Sequence, residues 1–206
     1  MRIRIILGSI GLAALSVLPF KAKAEEFKPY NKISVSVAAH KGGAENYSDI
    51  YGTPIMFGGS FGRSINKNLK IEGGLDYLSK DGDPYQMSWG DANISSASAH
   101  TSSLEINACA YFLAPAQKAV FYAGGGITHI GFKEELSVRG TIGGQSFNEN
   151  VSASEGGWGL MLAGGIDVPV SPTASVFGQI SYKSAKVKGD VQVGGTNFGG
   201  GVRLKF

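Results

Sequence analysis

Phe198-Gly199-Gly200-Gly201-Val202-Arg203-Leu204-Lys205-Phe206 is the stretch on which the fold turns. At the two-residue period of a β-strand, Phe198, Val202, Leu204 and Phe206 fall on one face, and Arg203 and Lys205 on the other. One side suits lipid and the other a wet interior, which is how a strand alternates when it crosses a bilayer as part of a closed barrel. A soluble, half-buried edge strand shares that alternation, so the rest of the chain has to choose between the two.

The N-terminus chooses the membrane. Arg2 and Arg4 form a basic start, residues 5–20 are apolar except for Gly8, Ser9, Gly11, Ser16 and Pro19, and Ala22-Lys23-Ala24 fits a small-x-small cleavage site. Residues 1–24 therefore read as a signal peptide and 25–206 as the folded domain. The apolar run is too short and too interrupted for a spanning helix, which needs about 20 apolar residues, and no second run follows. A membrane protein built from 25–206 is expected to be a closed barrel, because only helices and closed barrels satisfy every backbone group in lipid.

Composition points the same way. Glycine supplies 31 of 206 residues, roughly twice its ordinary share, and many glycines sit inside alternating segments, where they allow tight curvature and close backbone approach. Of 19 basic residues four lie in the leader, leaving 15 against 16 acidic ones. Without a basic excess, nucleic acid is not a partner. Cys109 stands alone and forms no internal disulfide, so the hydrogen-bond ladder must hold the fold.

Eight strand-like segments follow, at 33–39, 54–62, 69–78, 101–112, 119–130, 157–168, 174–184 and 196–206. Most have the nine to eleven residues that a tilted strand needs to cross a bilayer. The connections alternate: short turns at 63–68, 113–118 and 169–173, long polar loops at 40–53, 79–100, 131–156 and 185–195. Long loops on one side and short turns on the other predict an all-β, eight-stranded antiparallel up-and-down transmembrane β-barrel with the long loops outside the cell.

Eight strands leave an interior that side chains nearly fill, so inward charges must compensate one another. Alternation turns Lys70, Glu72, Asp76, Glu105, Asp167, Lys183 and Arg203 inward. Counting up from the short turns sets Glu72 level with Arg203 and Lys70 level with Asp167. The same count brings Asp76 beside Glu105, a pair that needs a cation, with Lys183 the nearest inward one. In 119–130 the faces compete: Val120, Tyr122 and Ile130 against Phe121, Ala123 and Ile127. An aromatic girdle is expected from Phe112, Phe121 or Tyr122, and Phe206 at the short-turn boundary, and from Tyr77, Trp158 and Tyr182 at the outer one.

The leader, the eight segments, the alternating connections and the ending Gly199-Gly200-Gly201-Val202-Arg203-Leu204-Lys205-Phe206 resemble the small outer-membrane barrel superfamily that includes the OmpA-type transmembrane domain, the OmpX and Ail type, and the opacity-like proteins. Ala163-Gly164-Gly165-Ile166-Asp167-Val168-Pro169 followed by Val176-Phe177-Gly178-Gln179-Ile180-Ser181-Tyr182 is similar to the penultimate hairpin of opacity-like barrels. The resemblance implies that Val202, Leu204 and Phe206 are an assembly signal read by the barrel-assembly machinery, and that the chain resides in the outer membrane of a Gram-negative bacterium.

The function expected is structural or interactive. A monomeric barrel, in contact with outer-membrane lipid and lipopolysaccharide, anchors four extracellular loops for adhesion or envelope integrity, with a host or surface ligand as partner. Around Gly143-Gly144, residues 135–139 and 145–148 flank a turn, so the longest loop reads as a hairpin raised above the membrane with an edge for strand addition. The alternative is a narrow pore for small solutes or ions. A lipid-modifying enzyme is the lesser alternative: His40 and His100 fall at the outer rim near Ser98, Ser102 and Ser103, but no His-x-Ser-Asn motif occurs, and the chain is expected not to be an enzyme. His40, His100, His129 and Cys109 show no metal-ligand spacing. No cofactor is expected either, since Gly124-Gly125-Gly126 and Gly199-Gly200-Gly201 lack the helix and Lys-Ser/Thr of a phosphate loop.

Overall fold

Glycine-rich, alternating strands with polar residues on one face can satisfy their backbone in lipid only by closing on themselves, and they do. The computed structural model describes residues 27–43, 47–82, 87–89, 92–187 and 192–206, so the leader expected at 1–24 lies outside the described residues. Its strands are β1 (Tyr30–Gly42), β2 (Ile55–Asn66), β3 (Leu69–Gly82), β4 (Met87–Trp89), β5 (Ala92–Pro115), β6 (Val120–Ile142), β7 (Gln145–Pro169), β8 (Ala174–Lys186) and β9 (Gln192–Lys205), with one short helix, α1 (Tyr47–Tyr51). Eight of them form an antiparallel ring, β1 pairing both β2 and β9 and β3 closing onto β5. β4 only extends the upper end of β5.

The ends of the chain seal the ring. β1 and β9 pair from Lys32 opposite Lys205 to Gly42 opposite Gly195. Asn31 and Phe206 exchange two backbone hydrogen bonds, at 3.0 and 3.1 Å. At this end the connections are tight. Asn66 Oδ1 accepts from the Asn68 N–H at 2.8 Å, Ala116 N–H donates to Ala119 O at 2.7 Å, and Ser171 Oγ accepts from the Ala174 N–H at 2.9 Å.

Outward positions form an exposed apolar belt that includes Val35, Phe57, Ile71, Ile106, Ile127, Leu160, Leu162, Ile180 and Val202. The ambiguous segment resolves to Phe121 and Ile127 outward, with Tyr122 and Ile130 buried inside. The reason is polar. The Tyr122 hydroxyl donates to Gln179 Oε1 at 3.1 Å within the lumen, a partner that lipid would not supply. Beside it, Cys109, Tyr111, Leu113, Met161 and Ala163 pack into an apolar cluster inside the lower barrel.

The upper end departs from the sequence expectation. Most of 79–100, expected as a polar loop, is strand, while 131–156 forms the raised hairpin expected around Gly143-Gly144: β5, β6 and β7 run on as a three-stranded ribbon beyond their neighbours, since β3 stops pairing at Gly82 opposite Ala99 and β8 at Ala185 opposite Gly159. Water tolerates polar side chains on either sheet face, so the hydrogen-bond ladder continues without the apolar outer face that identifies a membrane strand. Gly143 and Gly144, at φ 56° and 82°, make the reversal, which L side chains rarely adopt. The connection between β1 and β2 contains α1, whose five residues are too few to leave a helical period in the sequence.

Candidate functional site: the braced lumen and its mouth

Among the described residues, four basic and four acidic side chains meet inside the ring in two groups. In the upper group Lys183, on β8, reaches across to Asp76 Oδ2 at 2.6 Å and to Glu105 Oε2, and Asn107 Nδ2 also donates to Asp76 Oδ2, at 2.7 Å. Lys183 and Glu105 are almost wholly buried. Asp76 and Glu105 stand directly opposite each other on β3 and β5, so the lysine is shared by two carboxylates of like charge.

The lower group pairs differently from the order of heights along the strands. Lys70 donates to Glu72 Oε2 at 2.7 Å, two residues along its own strand, instead of standing level with Asp167. Arg203 Nη1 donates to Asp167 Oδ2 at 3.3 Å rather than to Glu72, and its Nη2 donates to the Tyr122 hydroxyl at 3.2 Å. Strand tilt and shear displace residues of equal count around a barrel, and that moves Arg203 toward Asp167. Lys32 completes the group at 2.9 Å from Asp167. It was missed because the first strand was expected to begin at 33, one residue later. Aromatic faces share the cations: Arg203 lies 3.8 Å from the Phe177 ring centroid and Lys70 4.4 Å from that of Tyr111.

What space is left is small. A cavity of about 70 Å³ lies between the two groups, against Ser34, Ser60, Asp76, Asn107, Gln179 and Asn197. Above the upper group the mouth is covered by α1. Tyr51 donates to Glu134 Oε1 at 2.6 Å, and the Tyr47 ring meets His40 edge-on at 5.7 Å. His40 Nδ1 donates in turn to Asn197 Oδ1 at 2.6 Å. No periodic signal marks this cap, because Tyr47 and Tyr51 lie in a stretch with neither the helical nor the strand period.

The remaining predicted residues face outward. Tyr77, Trp158 and Tyr182 are exposed near the mouth, Trp158 with its ring 4.9 Å from that of His129, while Phe112 and Phe121 are exposed at the short-turn end. Val202 and Leu204 lie on the outer face of β9, and Phe206, just past its end, is exposed with its ring centroid 6.4 Å from that of Phe61. On the outer rim His100 Nδ1 donates to Asp81 Oδ1 at 2.7 Å and its Nε2 lies 3.4 Å from Ser79 Oγ. Neither Ser79 nor Asp81 was singled out from the sequence, where only the serines next to His100 on its own strand were considered.

A ring of eight antiparallel strands with an apolar exterior and a salt-bridged interior defines a membrane-spanning β-barrel. The family model of the outer membrane protein beta-barrel domain matches residues 10–206, and the chain belongs to that family, whose place is the outer membrane of Gram-negative bacteria. Its fold is similar to that of Ail, the attachment invasion locus protein of Yersinia pestis, at 18% identity and TM-score 0.53 over 86% of this chain and 100% of that one. It is also similar to Neisserial surface protein A (18%, 0.53, over 85% and 97%) and to OprG of Pseudomonas aeruginosa (12%, 0.52, over 86% and 95%). At these identities the likeness concerns the fold. No curated protein sequence matches the chain.

Proposed function

We propose that the barrel is a closed anchor that holds the β5–β6–β7 ribbon outside the cell for contact with a surface ligand. The observation that carries this reading is the pairing inside: Lys32, Lys70, Lys183 and Arg203 are matched by Glu72, Asp76, Glu105 and Asp167, so the described lumen charges cancel and brace opposite walls. A pore of the same width would need wet, unmatched polar groups along its path. Along the ribbon, among the described residues, β7 has no strand partner on its far side between Gln145 and Gly156, which leaves a row of backbone groups for strand addition. Ail has been solved in complex with a heparin analogue, sucrose octasulfate, which supports surface binding as a role for this architecture. The ribbon here carries both signs on its outer face, with Lys133 and Glu135 paired at 2.5 Å, so a neutral or mixed-charge partner fits it better than a polyanion. Val202, Leu204 and Phe206 act in this reading as the assembly signal, the barrel works as a monomer among lipid and lipopolysaccharide, and it catalyses nothing.

Two measurements test the proposal. In planar bilayers the protein should give no steady conductance, and a stable open level would replace the anchor with the narrow pore. Deleting 132–156 should abolish capture of whatever the intact protein retains from a cell-surface extract, while leaving the barrel folded; undiminished capture would move the binding surface elsewhere. One observation favours a second reading, ester hydrolysis at the outer rim: Asp81, His100 and Ser79 stand in the order of orienting acid, base and nucleophile. Against it, the Asp81 carboxylate is 88% exposed, so water screens the charge that would have to stabilise an imidazolium. A fluorophosphonate that labels the folded wild type and not Ser79→Ala would establish that reading.

A further inference from the structure

Between α1 and the root of the ribbon lies a cavity of about 190 Å³ that neither the anchor role nor the lumen braces require. Its walls are mostly apolar and aromatic: Tyr47 and Tyr51 from the helix, Ile130 and Phe132 from β6. The two tyrosine rings are 5.0 Å apart and inclined at 45°, so together they form an angled wall. Its charged lining is acidic. Glu134 stands at the side, held by the Tyr51 hydroxyl, and Glu105 forms part of the floor. Glu105 must share Lys183 with Asp76, so this one cation faces two carboxylates; with Glu134 added, these four side chains sum to minus two. In the lower lumen the surplus has the other sign, three cations against two carboxylates.

Aromatic faces beside carboxylates, in a partly dry recess, are what a cation with apolar substituents needs. The ring quadrupole and the carboxylates attract the charge, while methyl groups lose nothing by leaving water. Among the described residues no cluster of three ligating side chains could hold a metal ion here, and a primary ammonium would give up hydration for walls that are mostly apolar. We propose that this vestibule binds a small solute bearing a methylated ammonium group, of the size and kind of choline, through Tyr47, Tyr51 and Phe132 with Glu134 and Glu105 as counter-charges. The same negative field acts on the cap: burial, together with the charges of Glu105 and Glu134, pushes the Tyr47 hydroxyl up to about 12. The surplus negative charge also fixes the source of the ligand. A free solute is welcome, whereas a phosphocholine headgroup brings an anion to a site that repels it.

The test is calorimetric titration of the full barrel in maltoside micelles, which carry no ammonium headgroup, with choline, with its neutral isostere 3,3-dimethylbutan-1-ol, and with phosphocholine. Saturable choline binding below about 1 mM is expected, with the alcohol and phosphocholine each at least about tenfold weaker. Glu134→Gln and Tyr47→Leu should each weaken choline about tenfold, and Tyr47→Phe, which keeps the ring, should not. No saturable binding by the wild type, an alcohol or phosphocholine that binds as tightly as choline, or an unchanged affinity in Glu134→Gln would overturn the proposal. Because the ligand comparison is made on the wild type alone, it stands even if a variant fails to fold.

Discussion

The lower and upper halves of β6 carry one alternation with opposite sense. Below Ile130 the outward positions are Phe121, Ala123, Gly125 and Ile127, with Tyr122 and Thr128 buried inside. Above it the outward positions are Lys133, Glu135, Ser137 and Arg139, while Phe132, Leu136, Val138 and Ile142 take the inner face. The strand does not slip between the two: its register with β7 is continuous from Val120 opposite Asp167 to Ile142 opposite Gln145. A one-residue slip would have exchanged the faces mechanically. What changes instead is the solvent outside the sheet, lipid below and water above, and the sequence answers it residue by residue. The exchange near Ile130 therefore marks the outer boundary of the membrane, at the level where Trp158 is paired with His129.

The sharpest way to break the lower half is from within. Lys183→Met leaves Asp76 and Glu105 facing each other across the β3–β5 ladder, and removing one member of a buried ion group costs about 3–5 kcal/mol. Urea unfolding from lipid vesicles should show that loss, and adding Glu105→Gln should recover part of it. If Lys183→Met is as stable as the wild type, the braces contribute no stability. From outside, Leu162→Arg on the lipid face should cost about 2–4 kcal/mol in the same assay, whereas Ser152→Arg, on the same face of β7 above the boundary, should change little. Equal costs at the two positions would remove the boundary from where the β6 comparison puts it. Deleting Phe206 takes away the residue whose backbone closes the ring against Asn31, and assembly into the outer membrane should fall several-fold while the ribbon is unaffected. Normal amounts of heat-modifiable barrel in the membrane would show that the terminal residue is dispensable.

The contrast between the halves also explains what could be read in advance. Where lipid imposes an apolar exterior, Leu69, Ile71, Leu75 and Tyr77 against Lys70, Glu72 and Asp76 make the strand and its inner face plain from the sequence. Above the boundary the same period is present, but its apolar members stand among serines and charges: 135–139 reads as a hairpin flank only because Gly143-Gly144 follows, and 79–100, without such a turn, reads as a loop. Partner choice was legible only where two residues face each other directly, as Asp76 and Glu105 do. The Arg203–Asp167 contact joins β9 to β7 across an intervening strand and depends on shear, a property of the closed ring and of no single segment. The Asp81–His100 contact was lost for a related reason, since it joins two strands in a region that reads as loop.

Smaller effects belong to the upper half. Gly144→Ala at φ 82° should cost about 1 kcal/mol, seen as faster amide exchange across 136–150 with no change below Ile130. If exchange in the membrane strands rises as well, ribbon and barrel unfold as one unit rather than two.

The cap gives the mildest and most local test, through alkaline pH. An ordinary tyrosine ionises near 10, but burial and the nearby Glu105 and Glu134 hold Tyr47 neutral to about 12, and Tyr51, donating to Glu134, is raised as well. Between pH 10 and 12 the folded cap thus keeps a proton that an opened cap would release. Its closed state is fully favoured below pH 10 and loses that advantage as the pH climbs through about 12. Absorbance in the tyrosinate band should show a late ionisation, near pH 12, that is missing in Tyr47→Phe. If the ionisation lost in Tyr47→Phe lies near pH 10 instead of near 12, the ring is already in water and the mouth of the barrel is open rather than capped.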